Sequence, residues 1–371
     1  MKRRFRTPML LIVSLALFAV GWSSPAPQSG LAYPVNMTLA DGRLFVSDQY
    51  LGVFVYDVGD PAAPTPVTTI PLKGNRGTAV KDGIVYANED NALHVLRIVG
   101  NSYETVMTLQ PEYDVPGGGD GGWLEPGVIQ ERNGLGCACG QHLELASPLG
   151  PASVGSSFAT FALVDDFLYR IDYATLVIYD VAVADKPKEL KRVDIGWEIE
   201  TIYPTDNFLL LGGNRGMYIY DRRSDPAAPH EIARIEHVRA CDPVVVSGPV
   251  AYVTLRGGSV CGNAPDELLC VSMTDPDQPT VIARKELATP FGLAVSEPFL
   301  YVSNGLRGYT LLDVARPASP LPIAQWTDWG TKDFIWSGTT LYVLGFDGLR
   351  FFDVSDPRSP KLLAMLGPGA S

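Results

Sequence analysis

The sequence predicts an all-β protein, a β-propeller of four-stranded blades, with seven blades. Two observations lead to this fold class. A phrase made of a short apolar strand, a polar turn, a second apolar strand and a D-P-x-x-P turn recurs about every 41 residues. Each copy also has room for one strand before the phrase and one after it. Four-stranded units that repeat at about 40 residues are typical of β-propellers, whereas the coils of a β-solenoid are usually shorter.

The first two strands of each unit set the repeat. The first strand reads VNMTLA, GTAVKD, TIYPTD, PVVVSG, GLAVSE or FIWSGT in six of the units. The second strand begins at positions that are 41, 83, 41, 42, 49 and 41 residues apart: Leu44, Val85, Leu168, Leu209, Ala251, Leu300 and Leu341. The two long steps indicate insertions at about residues 110–157 and 257–267.

The third strand and the turn after it also repeat. The strand is rich in Val, Ile, Leu, Tyr and Phe, as buried strands are. The turn reads DPAAP, DPDQP, RPASP or DPRSP in five units, and a fourth strand follows it. Proline presets φ for such a turn and cannot donate to a strand ladder. Five aspartates share one register at the end of the third strand, and we expect them to accept backbone N–H groups rather than to form a catalytic set: Asp57, Asp180, Asp221, Asp313 and Asp353.

Three of these phrases, LVIYDVAVADKP, LLDVARPASP and FFDVSDPRSP, resemble the repeats of the LVIVD-repeat family of bacterial and archaeal cell-surface proteins. The resemblance covers residues 34–366 apart from the longer insertion. It implies a single extracytoplasmic propeller domain over residues 31–368. It does not imply an activity.

The N-terminus predicts export. The basic segment MKRRFR precedes the apolar segment MLLIVSLALFAV, which is typical of a secretory signal peptide over residues 1–26 with a cut between 21 and 26. An uncleaved N-terminal anchor is the alternative. Cleavage removes four positive charges and moves the net charge from −12 to about −16. This charge argues against nucleic acid and anionic lipid as partners. We therefore expect a periplasmic, secreted or cell-surface monomer with no further membrane span.

The five cysteines of an exported protein suggest two disulfides and one free thiol. Cys241 opens the first strand of the fifth blade, and Cys261 follows the next strand. Antiparallel neighbours bring these two ends together, so a Cys241–Cys261 bridge is favoured. It would close a loop of about 20 residues and contribute roughly 3 kcal/mol. Cys270 lies inside the apolar strand LLCVSM and is predicted to be a buried free thiol.

The remaining two cysteines, Cys137 and Cys139, form a C-A-C motif in a glycine-rich loop. A structural disulfide, to each other or elsewhere, is the favoured interpretation for an exported protein. A strained, redox-active disulfide is a second interpretation. A soft-metal site is a third, although two thiols and the nearby His142 make an incomplete ligand set.

Propeller geometry places both insertions on one face. The connection into the first strand of a blade and the loop between its second and third strands open on the same side. Residues 110–157 lead into the third blade, and residues 257–267 join the second and third strands of the fifth. Long loops on a rigid scaffold often carry function. A tolerated insertion on a neutral surface explains them equally well.

Seven residues lie at the mouth of the inner strands on this face, and all of them except Thr160 are candidate ligand-binding residues. Carboxylates and an arginine at a pore rim could hold a cation, an amine or a sugar. A polar, wet channel that holds no ligand is the alternative. No cofactor is predicted, and a bound divalent cation such as calcium is left open. The seven residues are Asn36, Arg76, Thr160, Glu200, Asp242, Phe291 and Asp333.

The motifs of common enzymes are missing from the sequence. It contains no G-x-S-x-G and no H-E-x-x-H, and its four histidines show no metal-ligand spacing. The favoured function is a non-catalytic binding scaffold for a protein or a small polar ligand of the cell envelope. The alternative is a hydrolase or lyase that acts on carbohydrate, with Glu200, Asp242 and Asp333 as acid and base groups. A redox role for the C-A-C motif has the least support.

Overall fold

The computed structural model describes residues 30–110, 154–196, 199–237, 243–258 and 265–367. These residues form seven four-stranded antiparallel blades, the first of which gains a short fifth strand at its inner edge. The first strand of each blade lies beside the first strands of its two neighbours in a closed ring. The prediction of an all-β, seven-bladed propeller is confirmed. No helix within these residues has the length and apolar character needed to cross a membrane.

Each blade is a meander of consecutive strands, numbered here in chain order. The first blade contains β1 (Pro34–Ala40), β2 (Arg43–Asp48), β3 (Gly52–Asp57) and β4 (Thr65–Ile70). The second contains β5 (Thr78–Lys81), β6 (Ile84–Glu89), β7 (Ala92–Val99) and β8 (Ser102–Leu109). A short strand, β9 (Val154–Gly155), precedes the third blade, which contains β10 (Phe161–Val164), β11 (Phe167–Asp172), β12 (Thr175–Asp180) and β13 (Lys188–Asp194).

The other four blades follow the same plan. The fourth contains β14 (Ile199–Pro204), β15 (Phe208–Gly213), β16 (Gly216–Asp221) and β17 (His230–Glu236). The fifth contains β18 (Val244–Ser247), β19 (Val250–Leu255), β20 (Glu267–Ser272) and β21 (Thr280–Glu286). The sixth contains β22 (Leu293–Ser296), β23 (Phe299–Ser303), β24 (Tyr309–Asp313) and β25 (Leu321–Trp326), with one 3-10 turn at Gly305–Arg307. The seventh contains β26 (Thr331–Ser337), β27 (Thr340–Gly345), β28 (Leu349–Asp353) and β29 (Lys361–Leu366).

The repeated residues of the sequence are structural. The third-strand aspartates accept a backbone N–H two residues further on, as predicted; the Asp180 Oδ1 to Ala182 N distance, for example, is 2.9 Å.

The D-P-x-x-P turns also join neighbouring blades. The Tyr169 hydroxyl donates to the Pro226 carbonyl of the next blade at 2.8 Å, and Tyr301 does the same to Pro357 at 2.6 Å. The turns therefore hold the blades in register.

The hydrophobic core lies between the blades. Separate clusters of buried side chains fill the interfaces between the first and second, second and third, and third and fourth blades, and a larger cluster runs through the fourth to the seventh. The seventh and first blades close the ring, with Met37 and Leu44 packed against Ile335 and Tyr342. Each of these two blades is built from one continuous stretch of chain. The ring is therefore closed by side-chain packing and not by a shared sheet.

Two faces of the ring are named here. The insertion face carries the connections between blades and the loops between second and third strands. The turn face carries the D-P-x-x-P turns and the hairpins between first and second strands. Residues 111–153 and 259–264, which hold most of the two predicted insertions, lie outside the described residues.

Candidate functional site

In the described part of the chain, three inner strands carry a β-bulge at the mouth of the channel on the insertion face. The bulged residues are Val35 in β1, Glu200 in β14 and Lys332 in β26. The extra residue of a bulge changes the direction in which the neighbouring side chains point. The sequence alignment put Glu200 level with Asn36 and Asp333, and the structure corrects this by placing Glu200 level with Lys332.

Lys332 joins the first and seventh blades at this mouth. It is only 6% exposed. Its Nζ atom donates to the carbonyl of Pro34 at 3.0 Å and lies 5.0 and 5.1 Å from the ring centres of Tyr33 and Phe346. Burial lowers the pKa of Lys332 from its ordinary 10.5 to about 8, and the charge of Asp48 offsets part of this effect. The mouth therefore contains a buried lysine between two aromatic rings.

Asp48 fixes the two loops that carry these rings. Its carboxylate is buried. It accepts the backbone N–H groups of Ala32 and Tyr33 at 2.7 and 2.6 Å, and those of Tyr50 and Leu51 at 3.0 Å each. Hydrogen bonds to an ionised carboxylate are strong. Asp48 thereby orients Tyr33 and Tyr50, whose ring centres are 5.5 Å apart.

The interior of the ring is occupied by residues 154–160, named here the channel segment. Its strand β9 pairs with the inner edge of β1. Residues 156–160 are between 0% and 4% exposed. The predicted insertion at 110–157 was expected to decorate the insertion face, whereas its last residues lie inside the ring. Their hydrogen bonds reach the inner strands of three blades: Ser156 N to Met37 O (3.0 Å), Ile202 N to Ala159 O (2.9 Å) and Leu293 N to Ser157 Oγ (3.3 Å).

Two of the predicted site residues pack against the channel segment. Asn36 donates from Nδ2 to the carbonyl of Phe158 at 3.4 Å. Asp333 is completely buried, and this burial raises its pKa well above the usual range despite hydrogen bonds from Ser156 and the Phe334 backbone. Desolvation favours the neutral acid. The Asp333 carboxyl group is therefore enclosed and not presented to a ligand in the channel.

The other predicted residues are distributed over the insertion face. Thr160 is buried at the end of the channel segment, and Glu200 is half-buried at its bulge. Arg76 is exposed near the third blade, and the half-buried Phe291 lies between the fifth and seventh blades. Asp242 lies outside the described residues. The structure thus brings Asn36, Thr160 and Asp333 to one segment and separates the rest, and a ligand-binding role for the set stays a prediction.

A polar pocket of about 120 Å³ opens between the first three blades on the insertion face. Arg76, Asp90, Arg170 and Tyr173 line it. The Arg76 guanidinium lies 5.3 Å from the ring centre of Tyr173. Of the predicted site residues, only Arg76 and Thr160 line this pocket.

An aromatic patch covers the insertion face over the sixth, seventh and first blades. It consists of Tyr33, Tyr50, Phe291, Leu306 and Phe346. Lys332 connects Tyr33 with Phe346, and Phe346 meets Phe291 edge to face at 6.1 Å. Leu306 and Phe346 both border Gly330. The exposed fractions are 60% for Tyr50, 77% for Leu306 and 41% for Phe346. The sequence analysis found only Phe291 of these residues.

Cations accompany the aromatic residues of this face. The Arg256 guanidinium lies 3.7 Å from the ring centre of Phe291, and that of Arg350 lies 3.8 Å from the ring of Trp329. Such pairs place positive charge on a broad aromatic surface. The charges of Asp328 and Asp347 act on Arg350, and that of Asp48 acts on Lys332, so the patch combines apolar surface with both cations and carboxylates.

The predictions for cysteines and metals have different outcomes. Cys270 is a buried free thiol, as predicted, and burial raises its pKa to about 12. The other four cysteines lie outside the described residues, so the two disulfides stay predictions. Within the described residues, no three His, Cys, Asp or Glu side chains come together as metal ligands. That no cofactor binds stays a prediction, with a bound divalent cation as the open alternative.

Comparison with known proteins gives one family match by sequence. The family model described as the LVIVD repeat matches residues 291–326. This segment spans the sixth blade and contains LLDVARPASP, one of the three phrases that carry the sequence resemblance, which is confirmed. No curated protein sequence matches the chain significantly.

Solved structures match the chain over most of its length. The periplasmic gluconolactonase PpgL of Pseudomonas aeruginosa has a TM-score of 0.60 at 11% identity, covering 90% of this chain and 97% of that chain. A protein from Lactobacillus plantarum has a TM-score of 0.60 at 14% identity, covering 90% and 96%. BamB from Moraxella catarrhalis has a TM-score of 0.52 at 11% identity, covering 92% and 87%. At these identities the likeness shows the propeller fold alone.

Proposed function

We propose that this chain, a seven-bladed β-propeller whose sixth blade matches the LVIVD repeat, is an extracytoplasmic, non-catalytic scaffold that binds a protein partner on its insertion face. The aromatic patch is the observation that carries this proposal. Protein interfaces are enriched in aromatic residues and arginine at their centres. Contiguous exposed apolar surface on a soluble protein usually marks an interaction site.

The position of the patch supports this use. Other exposed large apolar side chains of the described residues lie mainly on the outer strands, as Leu321 and Ile323 do on β25. The patch residues instead come from loops of three blades and touch one another. Asp48 and Lys332 hold the two loops of the first blade in place. A preformed surface of this kind loses little entropy when it binds.

The extracytoplasmic location rests on the sequence. The basic and apolar N-terminal segments are typical of a secretory signal peptide. The description of PpgL as periplasmic agrees with a propeller of this kind working outside the cytoplasm.

Carbohydrate chemistry in the channel is the second candidate, and the gluconolactonase PpgL among the similar structures is the observation that favours it. The proposed acid and base groups fit it poorly. Asp333 is fully buried against the channel segment, and Glu200 occupies a different strand level. A pair of carboxylates that acts on a glycosidic bond must face a substrate from two sides. A binding function needs no such pair.

Partner capture from an envelope extract tests the proposal. Immobilised wild-type protein is compared with a double variant, Tyr50→Glu and Leu306→Glu, which places charge in the patch at two exposed positions. The control is Val183→Glu and Leu321→Glu, which alters residues of similar exposure, 55% and 50%, away from the patch. We expect a protein that the wild type and the control capture and the patch variant loses. Equal recovery by all three proteins would refute the proposal.

A further inference from the structure

The polar pocket between the first three blades has the features of a site for a small molecule. It is separate from the aromatic patch. Its volume is about 120 Å³, compared with roughly 10–15 Å³ for one water molecule. It is too small for a protein segment and large enough for a small organic molecule.

Two guanidinium groups supply its positive charge. Arg170 is 2% exposed, and its Nη2 atom is 3.4 Å from both the Asp90 carbonyl and the Asp172 carboxylate. Its guanidinium also lies 5.9 Å from the ring centre of Phe161. Arg76 is exposed, and its guanidinium lies 5.3 Å from the Tyr173 ring centre, without an ion pair to any described carboxylate. Arginine binds carboxylate groups through two parallel N–H donors, so both side chains can hold an anion.

The pocket also contains groups that suit hydroxyls. The Asp90 side chain is exposed at the rim. Thr160 has a buried hydroxyl without a hydrogen-bond partner in the described part of the protein. Buried polar groups are usually satisfied by protein, water or ligand. Acceptors and donors are therefore present beside the two cations.

The backbone at the rim is held in an uncommon conformation. Asp90 and Tyr173 have φ angles of 47° and 53° in the loops of the second and third blades. This left-handed region is unfavourable for a bulky residue such as tyrosine. Strained residues cluster at ligand sites, where the surrounding structure maintains them. The Tyr173 ring is 47% exposed and lies beside Arg76.

We propose that this pocket binds a small hydroxycarboxylate with a single negative charge. Its carboxylate would lie between Arg76 and Arg170, and its hydroxyl groups would donate to Asp90 and lie near the Thr160 hydroxyl. The two aspartates of the pocket disfavour a dianion such as phosphate by like-charge repulsion. A neutral sugar would leave the Arg76 guanidinium without an anion.

Isothermal titration calorimetry on the whole protein tests this proposal with three matched pairs: glycolate and ethylene glycol, glycerate and glycerol, gluconate and glucose. Inorganic phosphate is the anion control. We expect at least one hydroxycarboxylate to bind with a Kd below about 1 mM, at least about tenfold more tightly than its neutral partner and than phosphate. If no hydroxycarboxylate binds, or if phosphate binds best, the proposal is wrong.

Two variants locate the binding. Arg76→Gln removes an exposed guanidinium, so we expect it to fold normally and to weaken hydroxycarboxylate binding by about 10- to 100-fold, the loss typical of one hydrogen bond to a charged group. Arg307→Gln removes an equally exposed arginine on the same face, outside the pocket, and should leave binding unchanged. An equal loss in both variants would show that the general charge of the face, and not the pocket, holds the anion.

Discussion

The buried lysine at the closure of the ring makes a specific prediction. Replacing Lys332 by methionine keeps the length and much of the volume of the side chain, but removes its charge. The change removes the hydrogen bond to Pro34 and the contacts of the ammonium with two rings. The burial of the ammonium and its favourable contacts act on the charged form together, and their net effect sets the pKa of Lys332. The pH dependence of stability therefore measures the net cost of holding this charge in the folded protein.

The magnitude follows from the pKa of Lys332. A fall from 10.5 to about 8 corresponds to about 3 kcal/mol, at 1.36 kcal/mol per pKa unit. Below pH 8 both the folded and the unfolded chain hold the proton, so the full cost is present. Between pH 8 and 10.5 the unfolded chain binds more protons than the folded protein, and stability rises with pH. From pH 7.5 to 9.5 this rise amounts to about 2 kcal/mol.

Equilibrium unfolding in urea at these two pH values provides the assay. The free energy of unfolding of the wild type, minus that of Lys332→Met, should increase by about 2 kcal/mol between pH 7.5 and 9.5. Tyrosines and cysteines also titrate in this range, but they are common to both proteins and cancel in the difference. A Lys188→Met variant, altered at an exposed position on β13, should show no such change. A constant difference for Lys332→Met would refute the assigned burial of its charge.

Three further predictions concern the scaffold. The raised pKa of Asp333 contributes stability at low pH that is lost as pH rises. In Asp333→Asn, the melting temperature should therefore fall less steeply between pH 4 and 7 than in the wild type, and an unchanged slope would contradict this. Both Gly308 and Gly338 have a positive φ, but only at Gly308 would an added Cβ collide with backbone, 1.8 Å from Trp326 O. Gly308→Ala should therefore lower the free energy of unfolding in urea far more than Gly338→Ala, and equal decreases would refute the steric reason. Of the Tyr169 and Tyr252 hydroxyls, only that of Tyr169 has hydrogen bonds. Tyr169→Phe should therefore lower the free energy of unfolding by about 1 kcal/mol and Tyr252→Phe should leave it unchanged, and equal melting temperatures of the two variants would contradict this.

The fold could be predicted because each blade repeats the same local requirements. Short apolar runs that recur about every 41 residues predicted the strands, and the D-P-x-x-P phrases predicted the turns that end the third strands. The expected role of Asp180 and its equivalents is confirmed by their bonds to the backbone two residues ahead. Such features depend on neighbouring residues in the sequence. They can be read from one chain because seven copies report on the same geometry.

The site could be predicted only in part. A bulge adds one residue without changing the composition of a strand, so the alignment misplaced Glu200 and overlooked Lys332. The channel segment lies in an insertion that has no repeat, and its bonds to Met37 and Leu293 join residues far apart in the sequence. The aromatic patch combines loops of three blades. Nothing in the local sequence of Leu306 indicates that Phe346 is its neighbour.

In the proposed function, a protein partner docks on the aromatic patch. Photo-crosslinking in intact cells tests this claim, with a photoreactive amino acid placed at Leu306 and, in a second strain, at Val183 on the turn face. Both positions are well exposed, at 77% and 55%. A discrete crosslinked product from position 306, absent from position 183, is the predicted result. No product from position 306, or the same product from both positions, would contradict the claim.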